Sequence, residues 1–353
     1  MINRLIDNRR RAGELRRRQV PGFGTHQRPG PTTVYYVARD SDVPNGGVRA
    51  IYRHVDALNA QGVPAAVLHN RANFRCTWFT NSTRVVHGGA VSLGPDDILV
   101  VPEWYGPGLH RIPVGPRVVV FNRRAYDTFD QVSFAGSAPG SPYRNTRGLI
   151  ALLTVSRDNA DFLRYSFPDV PVHLTRNVID PAVFHPGPTG EAGRPRRIAF
   201  TTNRRPAERD HLLHVLRSRG VLVGWELVPI TGRTERETAD LMRDSALFLS
   251  FSEREGFGLP PAEAMASGCY VVGYPGLAGR EFFDPSYCTP VPDEDLAGFA
   301  RAVEEACLAY ASDPDTLTKR ARAASERVLT HYTADGLSND LEAFYRPLVT
   351  GGG

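Results

Sequence analysis

Glu253-Arg-Glu-Gly-Phe-Gly-Leu-Pro-Pro-Ala-Glu-Ala-Met-Ala-Ser-Gly268 is the stretch from which the fold can be read. It sets two carboxylates, Glu255 and Glu263, eight positions apart around a Gly-Phe-Gly turn. The run before it, Ala246-Leu-Phe-Leu-Ser-Phe251, is short, apolar and aromatic, as a buried strand is. Pro260-Pro261 at the head of the following run and Gly268 just past its end mark a short helix. Tyr270-Val-Val-Gly-Tyr274 then reads as a second strand. A strand, a glycine turn and a helix start beside a carboxylate suit a sugar-phosphate ligand. Free helix N–H groups attract phosphate oxygens, and carboxylates accept hydrogen bonds from sugar hydroxyls.

The same alternation runs outward from this stretch. Strands are expected at 34–38, 64–68, 98–102, 117–121 and 150–155, with helical patterns between several of them. Val48, Ile51, Val55 and Leu58 share one helical face after the Asn45-Gly46-Gly47 turn. Residues 128–146, rich in Gly, Ser and Pro, are expected to form a long loop. A second series begins with a strand at 197–201 and continues through a helix at 208–219, a strand at 225–229 and a helix at 234–243. The tail, roughly 316–347, reads as helical. Alternating strand and helix implies parallel sheets covered by helices on both faces.

These patterns divide the chain into a basic arm (1–30), a first Rossmann-like domain (31–178), a second (179–330), and a closing helix and tail (331–353). At 353 residues, 41% hydrophobic and 23% charged, the composition is that of an ordinary globular protein. No apolar run is long enough to cross a membrane, and no secretory signal is evident. Cys76, Cys269, Cys288 and Cys307 form no metal-ligand pattern, which fits a reducing cytoplasm. Residues 1–30 carry eight Arg against Asp7 and Glu14, a net +6 in a chain of net +4, so the folded body is slightly acidic. The arm, with a weak apolar stripe of Ile2, Leu5, Ile6 and Leu15, reads first as a solvated helix. A peripheral membrane contact or an acidic acceptor is the alternative reading.

Three motifs are set aside. Asp40-Ser-Asp42 has the D-x-D pattern of some metal-dependent transferases but lies too early, in the loop after the first strand. Neither G-x-G-x-x-G after the first strand nor a phosphate-loop G-x-x-x-x-G-K-[ST] is present. His110, His185 and His211 have no partners at metal spacing and read as structural or solvent-exposed.

With Glu255, Gly256-Phe257-Gly258 and Glu263 in this spacing, the chain resembles retaining GT-B glycosyltransferases of the glycogen-synthase-like group, most of all glycosyltransferase family four. The Gly46-Gly47 turn, the Ser156 helix start, Asn177-Val-Ile-Asp-Pro-x-x-Phe-x-Pro186, and Arg204 with Arg209 agree in order and spacing. The likeness covers roughly residues 33–347 and is tighter in the second half.

The resemblance implies two Rossmann-like domains facing across a cleft, with the last helix packing back toward the first domain. Arg204 and Arg209 would clamp the donor diphosphate, the second standing where the family usually has Lys. Glu263 would hold the ribose. Glu255, the 256–258 backbone and Leu259 would take the sugar and its phosphate. Gly46 and Gly47 would let the backbone approach, and Thr231, Gly232 and Arg233 would grip the base. Asn122 falls where the family often has a His near the reacting sugar, and Asn cannot act as a general base.

The implied donor is a UDP-sugar first and a GDP-sugar second. The acceptor is a small molecule or glycan, with no metal and no other cofactor. A non-catalytic GT-B binding module, and a nucleic-acid acceptor met through the arm, remain the alternatives. Oligomeric state and acceptor identity are open.

Overall fold

The computed structural model describes residues 12–187 and 193–350. The chain divides into two compact units, one of residues 1–176 with 337–353, the other of residues 177–336. Residues 331–336, assigned above to the closing helix, therefore stay with the second unit.

The first unit is built on a seven-stranded, wholly parallel sheet. Its strands are β2 (Val34–Val37), β3 (Ala65–His69), β4 (Val85–His87), β6 (Ile98–Pro102), β7 (Arg117–Phe121), β8 (Leu149–Thr154) and β9 (Val172–Leu174). Their spatial order is β4-β3-β2-β6-β7-β8-β9. β3 and β6 are buried along their whole length, because parallel strands are covered on both faces. The helix Gly46–Ala60 buries Val48, Ile51, Val55 and Leu58, the face its sequence marks out. Asn45 caps it, its Oδ1 accepting from the N–H groups of Gly47 (3.0 Å) and Val48 (3.2 Å).

The tail forms two helices, Pro314–His331 and Ala334–Thr350, where one helical stretch was expected. Tyr332 sits at the break. Its carbonyl accepts from the Ile179 N–H at 2.9 Å, and its ring packs on Phe257 and Phe282. The second of these helices joins the first unit through Tyr345, whose hydroxyl lies 2.8 Å from that of Tyr36. Tyr36 also meets Nδ1 of His54 at 3.1 Å, and burial pushes the His54 imidazole down to about 3, so it stays neutral.

The arm is only partly as expected. Ile2, Leu5 and Ile6 lie outside the described residues. Residues 12–17 are helical, Arg18 is buried, and β1 (Gly24–Thr25) pairs in parallel with β5 (Ser92–Leu93). Arg18 can be buried because Glu14 (3.1 Å) and Asp130 (2.5 Å) neutralise it and its guanidinium lies over Trp104. Residues 12–25 thus belong to the first unit's structure and are not a free polycation.

In the second unit a five-stranded parallel sheet has the order β11-β10-β12-β13-β14. Its strands are β10 (Arg197–Thr201), β11 (Glu226–Ile230), β12 (Leu247–Glu255), β13 (Tyr270–Leu277) and β14 (Thr289–Pro290). Ile198, Phe200, Leu249, Phe251, Val272 and Phe299 belong to one core cluster beside it. Among the described residues no helix is long and apolar enough to cross a membrane.

Candidate functional site

β10 lies between β11 and β12, and the chain leaves it first toward β11 and later returns on the other side as β12. The loops after β10 and β12 therefore diverge from neighbouring strand ends, where open parallel sheets bind ligands. Arg204 follows β10 and Glu255 ends β12. The Arg204 Nε donates to Glu255 Oε1 at 2.5 Å, with the side chains 32% and 13% exposed. That contact uses one of the two carboxylate oxygens, Oε1. The pairing register of β12 with β13 shifts between Ser252 and Glu255, an irregularity that re-aims the strand end.

The loop carrying Arg204 is held by residues that no local pattern singles out. Arg205 has φ of +39°, in the left-handed region, and starts the helix Pro206–Ser218. Its guanidinium meets Glu208 at 3.0 Å and Asp293, and lies 4.9 Å from the Tyr274 ring centre. Tyr274 in turn donates to Glu208 Oε1 at 2.5 Å. Arg209 turns back on the same loop, donating to the Thr202 carbonyl (2.7 Å) and to Asp210 Oδ1 (2.9 and 2.7 Å). Arg205, Glu208 and Tyr274 carry no sequence signal, since nothing periodic links them.

Beyond Glu255, Gly258 has φ of +96° and opens the helix Leu259–Ala266. A residue with a side chain is strained there, which accounts for that glycine. Pro260 and Pro261 lack N–H groups, and the Ala262 N–H already bonds the Gly258 carbonyl at 3.3 Å. Of the first turn's donors only that of Leu259 remains. This corrects the expectation of several free N–H groups at the helix start.

Phe257 is a core residue, its ring tilted against Phe282 (5.1 Å) and edge-to-face with Tyr332 (4.7 Å), so only its backbone can face a ligand. Glu263 is 6% exposed within the helix. Thr231, Gly232 and Arg233 are exposed after β11, whose end adjoins that of β10. Gly232 has φ of +61°, and Thr234 with Glu237 forms a capping box on the next helix.

In the first unit the corresponding switch lies between β2 and β6. Gly46 and Gly47 open the helix after β2, but the Gly47 N–H is already taken by Asn45. A Cβ at position 47 would lie 2.0 Å from an Arg123 guanidinium nitrogen. The glycine makes room for that side chain. Arg123, after β7, donates its N–H to Glu103 at 3.2 Å and has its Nε 3.5 Å from the same carboxylate. Glu103 and Arg123 are charged groups at this edge that the sequence reading missed.

Asn122 is not a ligand-facing residue, contrary to expectation. It is fully buried, and its amide donates to Thr128 Oγ1 (2.6 Å) and the Tyr143 hydroxyl (2.8 Å), while its Oδ1 accepts from the Arg124 N–H (3.2 Å). Its role is to tie down the 128–146 loop. Asn122→Ala strands these buried groups at a cost of about 2–4 kcal/mol. At about 2–4 °C per kcal/mol for a unit of this size, melting should fall by about 5–10 °C, with turnover of the folded protein nearly unchanged. An unaltered melting temperature with a large loss of turnover would restore a catalytic role.

Asp40 of the D-x-D pattern accepts from His69 Nδ1 (3.0 Å) and from the N–H groups of Asn70 (3.1 Å) and Arg71 (2.8 Å), a structural cap on the next strand's exit. Among the described residues, no group of three or more His, Cys, Asp or Glu is placed to hold a metal ion.

Two parallel-sheet units and this carboxyl-edge motif define the class: the fold is GT-B and the chain is a glycosyltransferase. Residues 206–308 match the family described as glycosyl transferases group 1. An alpha-1,6-glucosyltransferase of Actinobacillus pleuropneumoniae serotype 7 is 27% identical over 266 residues, covering 72% of this chain and 77% of that protein. Among solved structures, sucrose-phosphate synthase from Thermosynechococcus elongatus has a TM-score of 0.66 at 12% identity, over 91% of this chain and 100% of that one. The catalytic domain of starch synthase IV from Arabidopsis thaliana, bound to ADP and acarbose, has a TM-score of 0.62 at 12% identity, with the same coverage.

Proposed function

We propose that the chain transfers a hexose from a nucleoside-diphosphate sugar to a hydroxyl of a small-molecule or glycan acceptor, with retention and without a metal ion. The observation that carries this reading is the Arg204–Glu255 bridge across two diverging loops at the switch point. As the bond from the anomeric carbon to the diphosphate breaks, negative charge grows on the leaving oxygen. Arg204 offers a guanidinium for that charge, and the Leu259 N–H a dipole. Glu255 Oε2 takes a sugar hydroxyl and fixes the ring. The acceptor oxygen attacks from the face the diphosphate leaves, and its proton passes to a diphosphate oxygen, so no protein base is required.

The donor is a UDP-hexose first and a GDP-hexose second, and the starch synthase bound to ADP argues for including ADP in the comparison. The four cysteines are buried and free, which suits a reducing compartment such as the cytoplasm. The binding-module reading rested on Asn122, which is a core residue. The nucleic-acid reading rested on a free arm, much of which is folded into the first unit.

The test is calorimetry of the full chain with UDP, GDP and ADP. At least one nucleotide is expected to bind, and Glu263→Ala to weaken it about tenfold or more, as loss of a charge-assisted hydrogen-bond acceptor does. Absence of binding by all three, with the variant indistinguishable from wild type, would sink the reading.

A further inference from the structure

A groove of about 570 Å³ in the first unit takes no part in the chemistry above. Its walls are the helical residues 12–17, the segment Glu103–Arg111 and the 128–146 loop. Such a volume lies within the range of small-ligand sites, about 300–1,000 Å³. Arg16, His110 and Arg111 line it together with the amides of Gln19, Gln131 and Asn145, and no carboxylate is among the lining residues. The acids on the same walls each pair with an arginine outside the lining, Glu14 and Asp130 with Arg18 and Glu103 with Arg123. Arg16 makes one long contact, to the Ala12 carbonyl at 3.4 Å, and neither it nor Arg111 has a carboxylate partner among the described residues. The Arg18–Asp130 pair, which ties the loop to the end of the helix, thus also keeps an acid off the groove's arginines.

We propose that this groove binds an acidic glycan, a sugar chain bearing carboxylate or phosphate groups; as the acceptor side of the reaction, it rests on the transferase reading. Guanidinium groups match carboxylates and phosphates in charge and in planar geometry. The amides of Gln19 and Asn145 can donate to and accept from hydroxyls. No Phe, Tyr or Trp lines the groove, so nucleic-acid bases lack the broad aromatic platform that single-strand binders use. Its concave shape suits a chain and not a flat bilayer.

The test is calorimetry on the full chain with tetragalacturonate, maltotetraose, oligothymidylate and phosphatidylglycerol vesicles. Tetragalacturonate should bind about tenfold or more tightly than neutral maltotetraose, and weaken as salt rises from about 0.05 to about 0.3 M. Replacing both exposed arginines, Arg16→Gln with Arg111→Gln, should cost about tenfold or more in that affinity, with melting and nucleotide binding unchanged. Equal binding of acidic and neutral chains overturns the proposal. So does an unaffected double variant, or binding of oligothymidylate or vesicles without tetragalacturonate. Nucleotide binding is read separately, through second-unit residues. Acidic-glycan binding without nucleotide binding would therefore uphold the groove while removing the transferase reading.

Discussion

Glu255→Gln is expected to lower turnover about a hundred- to a thousandfold while nucleotide affinity changes less than about threefold. The substitution keeps the side chain's size and its reach toward Arg204 and removes only the charge. In the resting protein that charge orients Arg204 through the 2.5 Å contact. In the proposed reaction it also holds a sugar hydroxyl while the anomeric carbon turns cationic. Both effects grow toward the transition state, so the loss belongs in kcat, and removal of one such group is worth about 3–4 kcal/mol. Nucleotide affinity escapes because the positive charge of Arg204 survives and phosphate oxygens do not need Glu255. Steady-state kinetics with the best donor, beside calorimetry with its nucleotide, reads the two quantities. Equal losses in both would assign Glu255 to uniform binding and remove its special role.

Gly273→Ala should destabilise the second unit by about 3–5 kcal/mol, the sum of left-handed strain and overpacking. Gly273 has φ of +128° in the middle of β13. A Cβ there would lie 2.4 Å from the Ser250 carbonyl oxygen of β12 and 2.5 Å from the Phe299 ring. The first obstacle is backbone of a central strand, which cannot step aside without breaking the ladder. At about 2–4 °C per kcal/mol for a unit of this size, its melting should fall by about 10 °C. Nucleotide binding should be lost at the lower transition, because unfolding of the second unit takes Arg204 and the Gly258–Leu259 turn with it. A melting curve identical to wild type would show that β13 is more compliant than its packing implies.

The legibility of these two sites differs for a physical reason. Gly258 could be read because a strand-to-helix turn demands a left-handed residue, and local sequence reports that demand. Gly273 sits inside an apolar run where a strand was already expected. Only the position of Ser250 across the sheet shows why no other residue fits. Edge strands were missed for a related reason. β4 and β9 are three residues each and only half-buried or exposed, too short to show a pattern. The break at Tyr332 was invisible because that tyrosine continues the helical spacing, and it is the Ile179 hydrogen bond that ends the helix.

What the sequence determined by itself is the alternation of strand and helix, the face Gly46–Ala60 buries, and the carboxylate spacing around Gly-Phe-Gly. Each is a local signal, carried by hydrophobic period or by the backbone freedom of glycine. Tertiary structure alone decided that Arg204 meets Glu255 across 51 residues, because strand order leaves no mark in local composition. It also exchanged Asn122 for Arg123 at the first unit's edge, since adjacent residues leaving a strand point to opposite sides. Finally, it divided the basic arm's charge, burying Arg18 against two acids and leaving Arg16 open to the groove.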